Sequence, residues 1–176
     1  MEMFVNTKIV FPTGMKGYLT VKKQEMNMWF DVLDMSLKPD SINTQQLAES
    51  TKYINKVLDK ETELLNGDSK KVFLGGFSQG CLMTLHIAFS RLKSLGGAIG
   101  LSGGLLPNSP INVIPNTLLI HGSADAVINP MYAKLSYVRL LLKSTVKFVQ
   151  LKDLTHSIDE RVINEMAMFW RRYATL

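Results

Sequence analysis

Three side chains able to carry acyl transfer stand in order along the chain: Ser78, Asp125 and His156. Ser78 is the centre of Gly76-Phe-Ser-Gln-Gly80, a G-x-S-x-G pattern. Glycines at its ends let a strand turn sharply into a helix without side-chain clashes. Such a turn holds the serine hydroxyl out at the sheet edge and sets the Gln79 amide at the helix start, as an oxyanion donor. A serine needs a base to become a nucleophile, and the base needs a group to orient it. Asp125 ends the segment His121-Gly-Ser-Ala-Asp125, and His156 ends Leu151-Lys-Asp-Leu-Thr-His156. Asp153 is a rival acid but stands too near His156 in the chain to reach back to its ring. The pattern around Ser78 alone is a weak signal. A phosphate-binding loop shares its strand-before, helix-after context, but the Gly-Lys-Ser/Thr that such a loop requires is missing here.

The elements that must position these residues alternate. Lys8–Phe11 reads as a short β-branched and aromatic strand closed by Pro12, followed by a glycine-bearing loop. Residues 44–65 carry Leu47, Ile54, Val57, Leu58, Leu64 and Leu65 at helical spacing. Ser41 or Asn43 can cap that helix and Asn66-Gly67 can stop it. Strands are expected at Lys71–Gly75, Gly97–Leu101, Thr117–His121 and Thr145–Leu151, with helices at Gly80–Arg91, 131–143 and 158–172. Strands separated by helices require right-handed crossovers and a mostly parallel sheet, and strands this apolar are covered on both faces. The expectation is a single α/β domain over 1–176 with helices on both faces of the sheet. Function in such sheets lies outside the carboxyl ends of the strands. Ser78, Asp125 and His156 each follow one such end, 47 and 31 residues apart, in the chain order of α/β-hydrolases.

Further segments carry a resemblance. Gly75-Gly-Phe-Ser-Gln-Gly80, His121-Gly-Ser-Ala-Asp125 with Val127–Pro130, His156, Met28-Trp-Phe-Asp31 and Leu101-Ser-Gly-Gly-Leu-Leu-Pro107 resemble the acyl-protein thioesterase/lysophospholipase (phospholipase–carboxylesterase) family. The resemblance implies a cytosolic serine hydrolase of palmitoyl-cysteine thioesters, lysophospholipids or small carboxylic esters. It assigns Ser78 as nucleophile, His156 as base and Asp125 as orienter, with no metal or organic cofactor. Trp29, Phe77, Leu105, Leu106 and Ile128 are candidates for an apolar acyl site, each of them equally readable as core. One departure stands out. The family's early strand, with a His-Gly-x-Gly-Asp loop supplying a second oxyanion donor, is not found, so the chain reads as a member lacking that strand. Two consequences are expected: an unpaired edge along Lys71–Gly75 that favours a homodimer, unless Lys8–Phe11 moves over to fill the gap, and weak hydrolysis.

Composition sets the outer bounds. Residues of the set AVILMFWYC make up 46% of 176, enough for one sizeable core. Lys and Arg exceed Asp and Glu by 20 to 15, but the excess is scattered with no basic stripe, which argues against nucleic acid and leaves room for peripheral contact with anionic membranes. The single cysteine, Cys81, excludes an internal disulfide and paired-cysteine zinc sites, and reads as a packing residue. His86 reads as a core histidine and His121 as a hydrogen-bonding residue at a strand end. The first residues lack the charged and apolar regions of a signal peptide, so the cytosol is the expected compartment. The rival reading is a catalytically weak pseudo-esterase that binds acyl groups or proteins.

Overall fold

The computed structural model describes residues 6–138, 140 and 142–174. In chain order it has a hairpin of Met15–Leu19 (β1) and Gln24–Met28 (β2), the helix Thr44–Leu64 (α1), then Phe73–Phe77 (β3), Gln79–Ser90 (α2), Gly97–Leu101 (β4), Asn116–Gly122 (β5), Pro130–Tyr137 (α3), Val146–Leu151 (β6) and Glu160–Tyr173 (α4). Strands β3 to β6 form one parallel sheet in the order β3-β4-β5-β6. This is the α/β arrangement expected from the alternation. β4 is wholly buried, as a parallel strand covered on both faces must be. Leu74 packs into a core with α1 and α2 residues such as Ile54, Leu58 and Leu85. Phe73 and Phe77 pack into a second core with Val162 and Phe169 of α4. The alternation along β3 therefore puts α1 and α2 on one sheet face and α4 on the other. Among the described residues, no helix is long and apolar enough to cross a membrane.

Local chemistry explains the boundaries. The Asn43 side chain accepts a hydrogen bond from the Gln46 N–H at the start of α1. Past its end, Asn66 and Gly67 adopt φ of 57° and 81°, the left-handed pair that stops a helix. α3 ends at Tyr137 rather than 143, because the chain turns tighter there, with Leu140 N–H donating to the Tyr137 carbonyl. Positions 139 and 141 of that expected helix lie outside the described residues.

Two readings of the N-terminal part are corrected. Lys8–Phe11 joins no ladder among the described residues, so it does not move over to pair with β3. Its β-branched residues favour extended backbone, but a strand needs a neighbour to bond. Conversely, the stretch read as a loop after Pro12 holds the β1–β2 hairpin, whose register pairs Met15 with Met28 and Leu19 with Gln24.

β3 passes into α2 through Ser78, whose φ of 55° and ψ of −119° lie where few non-glycine residues sit. That strained turn needs Gly76: a Cβ there would stand 2.2 Å from the Gly80 carbonyl oxygen. Gly80 differs from expectation, since a Cβ on it would meet only the Trp29 indole nitrogen, at 4.0 Å. Gly76→Ala is therefore expected to cost about 2–3 kcal/mol. Gly80→Ala should leave stability unchanged or raise it by up to about 1 kcal/mol, through its better helix propensity. Urea midpoints of the two variants against the parent chain measure the difference.

Candidate active site

The carboxyl ends of β3, β5 and β6 bring three loops together. The Ser78 turn follows β3, Asp125 lies three residues past β5, and His156 lies five past β6. His156 Nε2 stands 2.9 Å from Ser78 Oγ, and its Nδ1 stands 2.8 Å from Asp125 Oδ2. A carboxylate can only accept, so Nδ1 carries the proton and donates to Asp125. Neutral imidazole then has Nε2 free to accept from the Ser78 hydroxyl, which is the tautomer a general base needs. Asp153, the rival acid, is exposed, and its backbone N–H donates to Ser123 Oγ at 2.8 Å.

Asp125 is buried and well held. Its Oδ1 accepts from the backbone N–H groups of Val127 and Ile128, both at 2.9 Å. Burial alone would raise its pKa, but the His156 hydrogen bond and those two backbone donors outweigh it and hold the carboxyl below its ordinary value. His121 is fully buried at the end of β5, where its Nε2 donates to the Ile128 carbonyl at 2.9 Å and lies 3.3 Å from Asp125 Oδ2. Burial pushes its pKa down, so it is neutral and acts as a strut for the Asp125 loop. The two loops also meet through Gly122, where a Cβ would stand 2.0 Å from the Leu154 carbonyl oxygen.

Gln79 does more than the sequence suggested. Its backbone N–H belongs to the first turn of α2, which has no intrahelical acceptor, and so is available to an oxyanion. Its side chain bridges to a segment some 50 residues upstream: Oε1 accepts from the Trp29 N–H and Nε2 donates to the Phe30 carbonyl, both at 2.8 Å. Asp31 continues the clamp, its carboxylate accepting from the Thr20 N–H and hydroxyl at 2.7 and 2.6 Å. The strand–turn–helix signal gave the Gln79 amide. Nothing local to position 79 marked the side-chain bridge.

The candidate acyl residues separate into two groups. Trp29 and Phe77 line a cavity of about 880 Å³ that opens beside the turn. Phe77 also lays its ring against His156, centroids 4.7 Å apart and tilted 46°, which restricts the imidazole. Leu105, Leu106 and Ile128 are 2%, 3% and 6% exposed, buried in the core, so as placed they offer no open surface to an acyl chain. The two remaining side chains of note are structural. His86 Nδ1 is 2.9 Å from Ser109 Oγ, and burial pushes the Cys81 thiol up to about 12, far from a thiolate.

Comparison with known proteins identifies the family and the fold. Acyl-protein thioesterase 1 homolog 1 of Dictyostelium discoideum is 31% identical over 153 residues, covering 82% of this chain and 67% of that protein. Acyl-protein thioesterase 1 of Yarrowia lipolytica is 27% identical over 172 residues, covering 92% of this chain and 75% of that protein. The crystal structure of Arabidopsis thaliana SOBER1 superposes with a TM-score of 0.81 at 25% identity, covering 97% of this chain and 86% of that one. The sequence profile of the phospholipase/carboxylesterase family matches residues 2–173, and the chain belongs to that family of α/β-hydrolases.

Proposed function

We propose that the chain is a serine hydrolase that cleaves acyl thioesters or esters through an acyl-enzyme on Ser78. The observation that carries this reading is the continuous hydrogen-bonded run from Ser78 through His156 to Asp125. Ser78 Oγ attacks the substrate carbonyl carbon while its proton passes to His156 Nε2. The carbonyl oxygen becomes an oxyanion and takes the Gln79 N–H. Collapse of this intermediate breaks the carbonyl–sulfur or carbonyl–oxygen bond, and the leaving thiol or alcohol departs with the proton from His156. Water then repeats the attack on the acyl-enzyme with His156 again as base, releasing the fatty acid and restoring the Ser78 hydroxyl. Asp125 keeps Nδ1 protonated throughout and stabilises the transient imidazolium.

The names of the relatives fit S-acylated proteins, lysophospholipids and small carboxylic esters as substrates. Trp29 and Phe77 offer apolar surface beside Ser78 to the first carbons of the acyl chain. The second reading, an acyl- or protein-binding module with little turnover, rests on the oxyanion site. Hydrolases of this architecture use two donors, and the Ser78 turn supplies one. Working with a single donor typically costs on the order of 10²–10³ in turnover.

Labelling with a fluorophosphonate probe separates the two readings. Labelling of the parent chain that vanishes in Ser78→Ala supports the hydrolase, and an acyl ligand bound without labelling or turnover supports the module. Asp125→Asn should lower p-nitrophenyl butyrate turnover by about 10⁴, by stranding His156 in the wrong tautomer. Asp153→Asn should leave that turnover unchanged.

Asp125 also makes a stability prediction. Its carboxyl titrates below 3.8 in the fold and near 3.8 when unfolded. The ionised form therefore contributes stability that is complete above the unfolded value and lost as pH falls through the folded one. Urea midpoints of the parent chain and Asp125→Asn should be furthest apart near neutrality and draw together below about pH 3.8.

A further inference from the structure

α3 is apolar on both of its sides. Ala133 and Tyr137 are fully buried, and Tyr137 meets Phe148 of β6 with ring centroids 5.8 Å apart, so that side lies against the sheet. Met131, Leu135 and Val138 follow one another at intervals of four and three and form one stripe on the opposite side. They are 61%, 64% and 57% exposed, and Leu142, just beyond, is 91% exposed. Single exposed apolar residues need no explanation, but a contiguous stripe of them marks a contact surface. The stripe starts at the catalytic edge, because α3 leads from the Asp125 loop at the carboxyl end of β5 back to the start of β6. Val127 and Ile158, two residues past Asp125 and His156, are exposed as well. The apolar surface therefore continues to the loops that hold the base and its orienter. It lies at the β5–β6 end of the sheet, opposite β3.

Charge selects what covers it. Between Asp125 and Asp153 the chain has no acidic residue and five basic ones, Lys134, Arg139, Lys143, Lys147 and Lys152. Lys147 is paired with Glu165 of α4 at 2.6 Å. Lys134, beside Leu135, and Lys143, beside Leu142, are exposed and in no ion pair among the described residues. A second copy of the chain fits poorly, since an isologous contact would set the basic flank of one α3 against the same flank of the other. Three or four side chains also fall far short of the roughly 800 Å² per partner of a standard protein interface. An apolar stripe with cations beside it suits a lipid surface, where the apolar side chains sink below the headgroups and the cations meet anionic ones. We propose that the outer side of α3 docks the protein on anionic lipid surfaces through Met131, Leu135 and Val138, with Lys134 and Lys143 on the headgroups. S-acylated proteins and lysophospholipids are held at such surfaces, so the use of this contact rests on the hydrolase reading above. Its test does not.

Co-sedimentation of the intact chain with vesicles of phosphatidylserine and phosphatidylcholine in equal parts measures the docking directly. The parent chain should bind, and Ser78→Ala should bind equally, so loss of hydrolysis and loss of docking are read separately. Leu135→Gln with Val138→Gln should lower the partition coefficient by about tenfold or more. Lys134→Gln with Lys143→Gln should lower it by a similar factor on these vesicles and leave any binding to pure phosphatidylcholine unchanged. Lys70→Gln with Lys71→Gln makes the same change of charge beside β3, at the other end of the sheet, and should alter binding by no more than about twofold. All these positions are at the surface, and urea midpoints within about 0.5 kcal/mol of the parent show that each variant folds. Four results overturn the proposal: no binding by the parent, full binding by the Leu135 and Val138 variant, an equal loss in the Lys70 and Lys71 variant, or a dimer in solution that the Leu135 and Val138 variant abolishes.

Discussion

The site depends on how one buried carboxylate is satisfied. Asp125 carries a negative charge beneath the surface with no Lys or Arg paired to it among the described residues, and the His121 beside it is neutral and fully buried. What holds the charge is dipoles: two backbone N–H groups on Oδ1 and the His156 Nδ1–H on Oδ2. Backbone donors of this kind exist only if the loop from 122 to 129 keeps its shape. The His121 bond to the Ile128 carbonyl and the close packing of Gly122 on Leu154 tie that loop down at both ends. The carboxylate therefore fixes the imidazole, and the imidazole fixes the direction in which the Ser78 hydroxyl points. Each link is a local bond, and together they span three crossovers of the sheet.

The nucleophile is fixed from the other side. Ser78 sits at strained dihedrals, of the kind that typically cost 1–3 kcal/mol and persist only where the surroundings over-determine them. Here the surroundings are the register of β3 on β4, continued by the Ser78 N–H donating to the Leu101 carbonyl, and the buried helix α2 behind it. Gln79 adds a third anchor by clamping Trp29 and Phe30 against the turn. The segment after the hairpin is thereby part of the site's scaffold, although it supplies no reacting atom.

What could be read from the chain follows from how far each interaction reaches. Ser78, Asp125 and His156 were legible because each ends a strand-like run, and a parallel sheet puts all such ends on one edge. Strands β4 and β5 were legible as apolar runs because burial on both faces leaves little else for them to be, whereas half-buried β6 was legible from Val146, Phe148 and Val149. The hairpin was not, since Lys16, Gln24, Glu25 and Asn27 have low strand propensity and pair only because Met28 and Leu19 find the core. Lys8–Phe11 erred the other way, with the right residues for a strand and no ladder to join. The Gln79 side-chain bridge and the burial of Leu105, Leu106 and Ile128 depend on partners remote in sequence, which periodicity cannot register.

A nucleophile turn must lie at the carboxyl end of its strand, and α2 must pack closely enough behind it that residue 76 has no side chain. Glycines at 75 and 76 leave β3 with little side chain to shield its own edge. In β4 that exposure is prevented by neighbours on both sides, β3 and β5. Among the described residues β3 has such a neighbour on one side only, as β6 does, so the Ser78 turn is held by the β4 ladder and by α2 packed behind it.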